Sequence, residues 1–279
     1  MWTMSRSLAT SPTGNRSARF PASRQADLAS FVAEKGQVTV ADLATRFDVS
    51  PDTIRRDLDQ LDADGILIRT HGGAVSLSAV PRADTGVDIR MRLQTSAKDR
   101  IGALAASLVT DGTVLMINAG TTSLSMARHL KDQRELTIAT NNLRIPAEIS
   151  PKVCRDLYLF GGSVRLGAQA VVGPLSFRAD GNAGDIDIKC DLAVIGVGAI
   201  SASGYTTSHL AEAVMMGQMM KRATRVIVLA DSSKFGRQLF AQISPLDAGD
   251  VLVTDQQPPQ DLQTALDESG VQVIVADGN

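Results

Sequence analysis

Apolar residues between positions 25 and 63 recur at the three- and four-residue spacing of amphipathic helices. The first segment places Leu28, Phe31 and Val32 on one face and is predicted to end at Gly36, because glycine suits a left-handed cap. Two further segments of the same kind follow at once. Short helices separated by so few residues are typical of a helix-turn-helix unit.

The second and third helices carry clear start signals. Thr39 is placed to cap the second helix, which is predicted to stop at Asp48, and Ser50 is placed to cap the third. Pro51 suits the first position of the third helix, because no amide hydrogen is needed there. The residues predicted to face the core share helical spacing: Val40, Leu43 and Phe47 in the second helix, and Ile54, Leu58 and Leu61 in the third.

The third helix is predicted to present a polar face opposite its core residues. At about 100° per residue, Asp52 and Arg56 point away from the core. After this helix, residues 65–69 and 74–75 read as two short strands, and the turn at 70–73 contains two glycines. We expect this hairpin to be the wing of a winged helix-turn-helix domain.

From about Asp88 onward, runs of apolar residues alternate with helical patterns. This alternation is typical of βα repeats and of a mostly parallel sheet in an α/β domain. The predicted strands cover residues 114–117, 136–139, 157–160, 192–197, 226–230, 251–253 and 271–275.

Several of these strands run into loops that could hold a small molecule. Residues 118–123 read Asn-Ala-Gly-Thr-Thr-Ser and open a helix, so backbone amides and hydroxyl groups are available to an anion or a polyol. In open parallel sheets, ligands bind beyond the carboxyl ends of the strands. The other loops of this kind contain Thr140-Asn141-Asn142, Gly161-Gly162, Gly198 and Asp231-Ser232-Ser233-Lys234.

Each of these signals also has an interpretation without a ligand. The 118–123 loop could be a strand-to-helix turn with a capping residue, and Lys234 could be a surface lysine. The third helix could expose Arg56 simply as part of a solvated face. The methionines of segment 212–220 favour core packing, with the wall of an adaptable pocket as the alternative.

Length and charge refine this picture. The chain of 279 residues is long enough for two domains, and its 44% hydrophobic and 21% charged residues exclude wholesale disorder. The net charge of −2 does not indicate a nucleic-acid partner, so DNA binding must depend on a local motif. We expect a flexible basic tail at 1–24, a DNA-binding domain at 25–75, a linker at 76–87 and a sensing domain at 88–279.

Other classes are disfavoured by what the sequence lacks. No apolar stretch approaches the roughly 20 residues needed to cross a bilayer, and no secretory signal is visible, so a cytoplasmic location is expected. Cys154 and Cys190 match no metal or disulfide spacing, and the three histidines lack the spacing of zinc ligands. We therefore expect no structural metal, and no residue points to a cofactor.

Two segments of the first unit carry a specific likeness. Residues 49–58 read Val-Ser-Pro-Asp-Thr-Ile-Arg-Arg-Asp-Leu, and residues 67–75 read Leu-Ile-Arg-Thr-His-Gly-Gly-Ala-Val. Together they resemble the DeoR family of bacterial transcriptional regulators. The likeness extends from about residue 22 to the C-terminus through Ala119-Gly120-Thr121-Thr122, Thr140-Asn141-Asn142, Gly161-Gly162-Ser163-Val164-Arg165, Gly173-Pro174 and the segment 229–236.

The resemblance implies a winged helix-turn-helix that binds double-stranded operator DNA, usually as a repressor. It also implies a sensor domain related in fold to ribose-5-phosphate isomerase and coenzyme A transferases, phosphorylated sugars or related metabolites as effectors, and dimers, tetramers or larger oligomers. The residues expected at the DNA are Ser50, Asp52, Thr53, Arg55, Arg56, Arg69, Thr70, His71 and Gly72. The residues expected at the effector are Asn118, Gly120, Thr121, Thr122, Asn141, Gly161, Gly162, Arg165 and Lys234.

Three positions depart from the family pattern. Asn118 stands where the family often has aspartate, and Val214 and Met216 replace an acid and a lysine that commonly follow Glu212. The loop after Val197 also lacks an acid that many relatives carry. From these departures we expect a less charged pocket and an effector that is less anionic than a sugar phosphate, or one bound through threonines, Arg165 and Lys234 alone.

Two other functions compete with a carbohydrate-responsive repressor. A sugar-phosphate isomerase with an accessory domain would need a positioned base, and Glu212 and Asp231 are the remaining carboxylate candidates. A protein-interaction module is the third class, because winged helices also bind proteins. The sequence favours sensing over catalysis, so we expect a regulator that is not an enzyme.

Overall fold

The computed structural model describes residues 21–63, 66–70, 72–76, 87–178 and 185–276. The chain divides into two compact units, Met1–Ala79 and Val80–Asn279. Most of the predicted tail, the predicted linker residues 77–86 and His71 lie outside the described residues.

The N-terminal unit contains three helices and a small sheet among its described residues. The predicted helix-turn-helix and hairpin are both present, and the three-residue strand after the first helix was not predicted. The sheet is antiparallel in the order β1-β3-β2. The elements are α1 Pro21–Lys35, β1 Gln37–Thr39, α2 Val40–Phe47, α3 Pro51–Ala63, β2 Leu67–Thr70 and β3 Gly73–Ser76.

Local capping fixes the ends of α2 and α3 as the sequence predicts. The Thr39 hydroxyl accepts a hydrogen bond from the Asp42 amide, and Asp48 ends α2 in the left-handed conformation. The Ser50 hydroxyl accepts from the Thr53 amide at the start of α3. The buried apolar residues of this unit are Leu28, Val32, Val38, Val40, Leu43, Ile54, Leu58, Leu61, Leu67 and Ala74.

Arg24 corrects the predicted boundary of the basic tail. It lies in α1, and its Nε and Nη2 donate to the Asp57 carboxylate of α3 at 2.6 and 3.1 Å. Gln25 donates to the same carboxylate at 3.2 Å. The Asp57 side chain is only 6% exposed, and the bond to it raises the pKa of Arg24. This ion pair therefore belongs to the packing of α1 against α3.

The C-terminal unit is an α/β domain, as predicted. Its helices are α4 Val87–Arg92, α5 Thr95–Ser107, α6 Thr121–His129, α7 Ile145–Glu148, α8 Leu210–Lys221 and α9 Gln260–Glu268. Its strands are β4 Val114–Ile117, β5 Leu136–Thr140, β6 Cys154–Leu159, β7 Ser163–Arg165, β8 Ala170–Val172, β9 Ser176–Arg178, β10 Asp185–Asp187, β11 Cys190–Gly196, β12 Ala199–Ser201, β13 Gly204–Thr207, β14 Ala223–Leu229, β15 Ala241–Ser244, β16 Val251–Thr254 and β17 Gln272–Val275.

The main sheet is parallel throughout and has seven strands among the described residues. Its order is β17-β16-β14-β11-β4-β5-β6. The chain builds outward from β4 through β5 to β6 and then returns to the other side of β4 with β11. The order therefore reverses between β4 and β11, where ligands bind in sheets of this type. We call the side at which the strands end the carboxyl edge.

Apolar residues cover both faces of the main sheet. Along β11, Ala193 and Ile195 belong to one core cluster, whereas Leu192 and Val194 belong to the other. Helices α5 and α6 contribute to the second cluster, and α8 and α9 to the first. The methionines of α8 lie in the core, as expected: Met215, Met216, Met219 and Met220 are buried. None of the helices in the described ranges is long and apolar enough to cross a membrane.

The Arg24–Asp57 pair gives a test of the N-terminal packing. We expect Asp57→Asn to lower the free energy of unfolding by about 1.5–3 kcal/mol, because charge-assisted hydrogen bonds are lost at a buried site. Asp52→Asn on the same helix breaks only an exposed pair with Arg55 and should cost no more than about 1 kcal/mol. Hydrogen exchange of α1 and α3 in the full chain measures both effects, and equal protection in the two variants would contradict the assignment.

Candidate DNA-binding and effector sites

Arg56 is exposed on α3 and is free to meet a ligand. Within the described residues, no hydrogen bond or ion pair engages its guanidinium group. Arg55, its neighbour, instead pairs with Asp52 at 2.5 Å, and both of those side chains are exposed. The outward direction predicted for Asp52 and Arg56 is therefore observed, while contact with DNA stays a prediction.

Ser50 and Thr53 help to form the helix start. Their hydroxyl oxygens lie 2.9 Å apart, and the Ser50 hydroxyl also caps the Thr53 amide. These bonds fix the first turn of α3 and so determine where Arg56 projects. Each hydroxyl already has a partner within the helix start. A direct contact of either one with DNA stays a prediction.

The wing is tied to α3 by Arg69. Its guanidinium pairs with Asp59, and its backbone amide donates to Asp62 at 3.0 Å. Thr70 and Gly72 are exposed at the end of the hairpin. Because α3 and β2 are joined in this way, the wing and the helix present one surface.

In the sensor unit, Asn118 joins the two strands at the point where the sheet order reverses. Its Nδ2 donates to the Gly196 carbonyl, and its Oδ1 accepts from the Gly196 amide, both at 2.8 Å. The Ser123 hydroxyl donates to the same Oδ1 at 2.8 Å. The side chain is almost fully buried. Asn118 was predicted to contact an effector, but its amide is already committed to holding β4 against β11.

Asn141 has a similar framework role in the loop after β5. Its Oδ1 accepts from the Ala119 amide at 2.7 Å, and its Nδ2 donates to the Val171 carbonyl at 2.8 Å. The side chain thereby links the loops after β4 and β5 to β8. Its predicted contact with an effector remains untested, and the structure gives it a positioning role.

The predicted loop at the start of α6 keeps its donors near the carboxyl edge. Gly120 precedes the helix, Thr121 is half-buried and Thr122 is buried. The first amides of a helix lack partners within the helix, so this end can receive an anion. Of the predicted effector residues, these three remain the most suitable for direct contact.

Gly161 and Gly162 are exposed and lie next to the β7–β8 hairpin. Gly162 has φ 139°, and a Cβ there would lie 2.3 Å from the Val172 carbonyl oxygen. Close packing therefore explains the glycine at position 162.

At the end of β7, Arg165 pairs with Glu212 of α8. The Glu212 carboxylate also accepts a hydrogen bond from the Thr207 hydroxyl at 3.4 Å.

Lys98 is a functional candidate that the sequence analysis missed. It is buried on α5, and its Nζ donates to the carbonyl oxygens of Arg90 and Leu93, each at 2.5 Å. Burial lowers the pKa of Lys98 to about 8, against the opposing effect of the Asp231 charge. The positive charges of Lys234 and Arg90 lower this pKa further.

Arg90 is the second residue that was missed. It lies on α4, and its Nε is buried without a hydrogen-bond partner among the described residues. Burial lowers the pKa of Arg90, Glu212 opposes this shift, and Arg165 adds to it.

The sequence did contain a signal for the burial of Lys98, because this residue shares an otherwise apolar helical face with Ile101 and Ala105.

Asp231 completes this group of charges after β14. Its side chain is buried, Oδ1 accepts from the Ser233 amide at 3.1 Å and from the Ser233 hydroxyl, and Oδ2 has no partner among the described residues. Lys234 follows in a half-buried turn. We call the whole group the edge cluster: Arg90, Lys98, Arg165, Glu212, Asp231 and Lys234.

The edge cluster includes charges that the sequence analysis did not consider, and the expectation of a less charged pocket stays a prediction. It contains four basic and two acidic side chains, because Arg90 and Lys98 add charge that was not foreseen. Val214, which replaces a family acid, is more than half exposed, and Met216 lies in the core. A group with this excess of positive charge suits an anion.

The chain matches two family models. Residues 24–80 match the DeoR-like helix-turn-helix domain, and residues 93–256 match the DeoR C terminal sensor domain. The Bacillus subtilis HTH-type transcriptional repressor GlcR is 33% identical over 88% of this chain and 93% of its own length. The Escherichia coli glycerol-3-phosphate regulon repressor is 28% identical over 87% of this chain and 94% of its own length.

A solved D-ribose-5-phosphate isomerase in complex with phospho-erythronic acid also aligns with part of the chain. Its TM-score is 0.34 at 15% identity, and the alignment covers 50% of this chain and 53% of that protein. The α/β class itself is confirmed by the parallel sheet described above.

Alanine substitutions at Asn118 and at Thr121 should have different effects on the free energy of unfolding. We expect Asn118→Ala to lower the free energy of unfolding of the sensor unit by about 2–4 kcal/mol, because it leaves the buried polar groups of Gly196 and Ser123 without partners. Thr121→Ala, a few positions along the same loop, should change it by less than about 1 kcal/mol. Urea unfolding of the full chain measures both. An Asn118→Ala variant with the same free energy of unfolding as the wild type would contradict the strand-joining role.

Proposed function

We propose that this chain, which belongs to the DeoR family of transcriptional regulators, represses a carbohydrate-utilisation operon and releases operator DNA when a sugar phosphate or a related metabolite binds. The helix-turn-helix domain supports DNA binding, and the sensor domain supports control by a small molecule. The observation that carries the proposal is the exposed, unpaired Arg56 on a capped and packed α3.

Arg56 is suited to read a base. An arginine projecting from a helix in the major groove can donate two hydrogen bonds to guanine. Asp52 and Thr53 lie one turn or less before it on the same helix and are proposed to face neighbouring base edges. A symmetric dimer would then read paired half-sites.

Arg55 and Arg69 are proposed to bind phosphates. Both now pair with aspartates: Arg55 with Asp52 at an exposed position, and the half-buried Arg69 with the exposed Asp59. Exposed ion pairs contribute only about 0–1 kcal/mol, so a DNA phosphate can replace the carboxylate at little cost. Thr70, His71 and Gly72 of the wing are proposed to reach the adjacent backbone or groove.

The edge cluster supports an anionic effector. Asp231 and Lys234 follow β14, and Gly120 and Thr121 follow β4, so both loops lie at the carboxyl edge of the same sheet. A phosphate would pair with Lys98 and Lys234, while hydroxyl groups of the ligand would meet the loop amides and threonines. The name of the glycerol-3-phosphate regulon repressor is consistent with such a ligand.

Catalysis is less well supported than sensing. Glu212 is paired with Arg165 and also accepts from the Thr207 hydroxyl, so its carboxylate is already engaged by protein groups. Asp231 uses one oxygen to cap Ser233. GlcR and the glycerol-3-phosphate regulon repressor, which match over most of their own length, are named as repressors. We therefore favour a regulator over a sugar-phosphate isomerase.

Alanine substitutions at Arg56 and at Arg55 should have different effects on DNA binding. We expect Arg56→Ala to weaken binding to DNA from the chain's own upstream region by about 1–3 kcal/mol and to relax preference at one base pair. Arg55→Ala should weaken binding to all sequences and reduce the salt slope by about one. Binding titrations on a library of single-base variants distinguish the two, and an unchanged base preference in Arg56→Ala would reject the reading role.

The effector should be recognised by its charge. In a thermal-shift screen near neutral pH, we expect phosphorylated sugars or polyols to raise Tm more than their unphosphorylated parents. This advantage should shrink as the pH rises above about 8, because Lys98 then loses its proton and its charge. Lys234→Ala should keep operator binding but weaken release. An advantage equal at all pH values would contradict the role of Lys98.

A further inference from the structure

Exposed apolar side chains lie along α8 and at the start of β15 in the sensor unit. Leu210 and Val214 of α8 are 63% and 54% exposed, and Phe240, immediately before β15, is 84% exposed. Single exposed apolar residues are common, but a group of them on one surface usually marks a place that another molecule covers. These three residues are not part of the edge cluster.

A groove of about 310 Å³ lies between α8 and β15. Gly217 lets the helix approach the strand, because a Cβ there would lie 2.9 Å from the Ile243 carbonyl oxygen. Gln242, two residues after Phe240, lines the groove from β15, so the exposed ring lies next to the groove. The apolar walls of the groove come from Leu210, Ala213, Val214 and Ile243.

This surface therefore has both a projecting ring and a cavity. The ring of Phe240 is largely in water, so it does not fill the groove of its own chain. Pockets of about 300 Å³ hold small organic ligands, and an aromatic ring is small enough to enter one. A twofold interface must be self-complementary, because the same patch lies on both sides of the axis. Two copies of this chain could thus exchange their Phe240 rings.

The charge of the groove also favours an identical partner. Of the described residues that line it, only Lys221 is charged, and this lysine is the last residue of α8. It lies at one end of the groove and can keep its ammonium group in water. A strongly acidic or basic partner would bury charges that have no counterpart here, which costs free energy. A second copy brings the same nearly neutral surface.

Twofold symmetry makes a small patch sufficient for an interface. Specific interfaces bury about 1,200–2,000 Å² of total surface. A buried aromatic side chain contributes about 150–250 Å². Because the axis uses each contact twice, Phe240, Leu210 and Val214 supply six buried apolar side chains, and with the groove walls that these cover the total approaches that range. A peptide seated in the groove would instead leave Phe240 in water.

We propose that the surface formed by α8 and β15 is an interface between two copies of this chain, in which Phe240 of each copy enters the groove of the other beside Leu210 and Val214. The inference goes beyond the proposed function, because it assigns a surface for self-association and depends on neither the operator nor the effector. Val214 stands where the family commonly has an acid, so this chain has an apolar side chain in place of a charge at an exposed position.

Sedimentation velocity of the full-length protein over a range of concentrations, without DNA or sugar phosphates, tests this inference. We expect the wild type to associate reversibly and Phe240→Ala to weaken the association by at least about tenfold, since buried aromatic residues dominate the energy of interfaces. Val214→Glu should weaken it as strongly, because the interface would bury two carboxylates. Leu159→Ala is the matched control. Leu159 is 40% exposed on β6, the outermost strand at one side of the main sheet, and its loss should leave the association unchanged.

The variants should fold like the wild type, because both substituted positions are exposed and glutamate forms helices more readily than valine. Circular dichroism checks this. A larger assembly that falls to half its mass in both variants would support the inference, with this surface as one of two interfaces. A wild type that stays monomeric at high micromolar concentration would overturn it, even if another protein bound the groove. Association that both variants leave unchanged would also overturn it. DNA binding is measured separately, so the proposed function is unaffected by either failure.

Discussion

The side chain of Asn118 bridges β4 and β11 at the point where the strand order of the main sheet reverses. Three hydrogen bonds join this amide to Gly196 and Ser123, so β4, β11 and the start of α6 are fixed to one another. The loops after β4 and β14 flank that junction. The donors of the 118–123 loop lie on one side, and the charges that follow β14 lie on the other.

The edge cluster supplies most of the charged side chains of the candidate effector site. Buried polar atoms are normally paired, yet the Arg90 Nε donor has no partner among the described residues. Burial lowers the pKa of Lys98 to about 8, and the positive charges of Lys234 and Arg90 lower it further. Such a group is costly to maintain in a domain that only needs to fold, and this cost is understandable if an anion completes it.

Helix-capping residues made the helix boundaries of the first unit predictable. Thr39, Ser50 and Pro51 act within one turn of their own position, and the observed helices α2 and α3 begin as these residues indicate. Strand β1 was missed because its three residues form a strand only through pairing with β3, more than thirty residues away. The parallel strands of the second unit were predicted to within a few residues, because buried strands are continuous apolar runs.

Side-chain roles in the second unit were harder to predict. Asn118 and Asn141 were expected to meet a ligand, but their partners Gly196 and Val171 are distant in sequence. Lys98 reads as a surface lysine when taken alone, and its burial depends on α4 folding over it. The family likeness was carried first by residues 49–58 and 67–75 and then by motifs of the second unit, and it is confirmed over both domains.

The most direct test of the central claim is a titration of the full-length protein with DNA from its own upstream region, at several salt concentrations, with and without a panel of sugar phosphates. The account predicts binding that weakens steeply as salt rises, since phosphate contacts release counterions, and that weakens further with at least one sugar phosphate at constant ionic strength. Binding that is absent at low salt, or that no member of the panel alters, would contradict it.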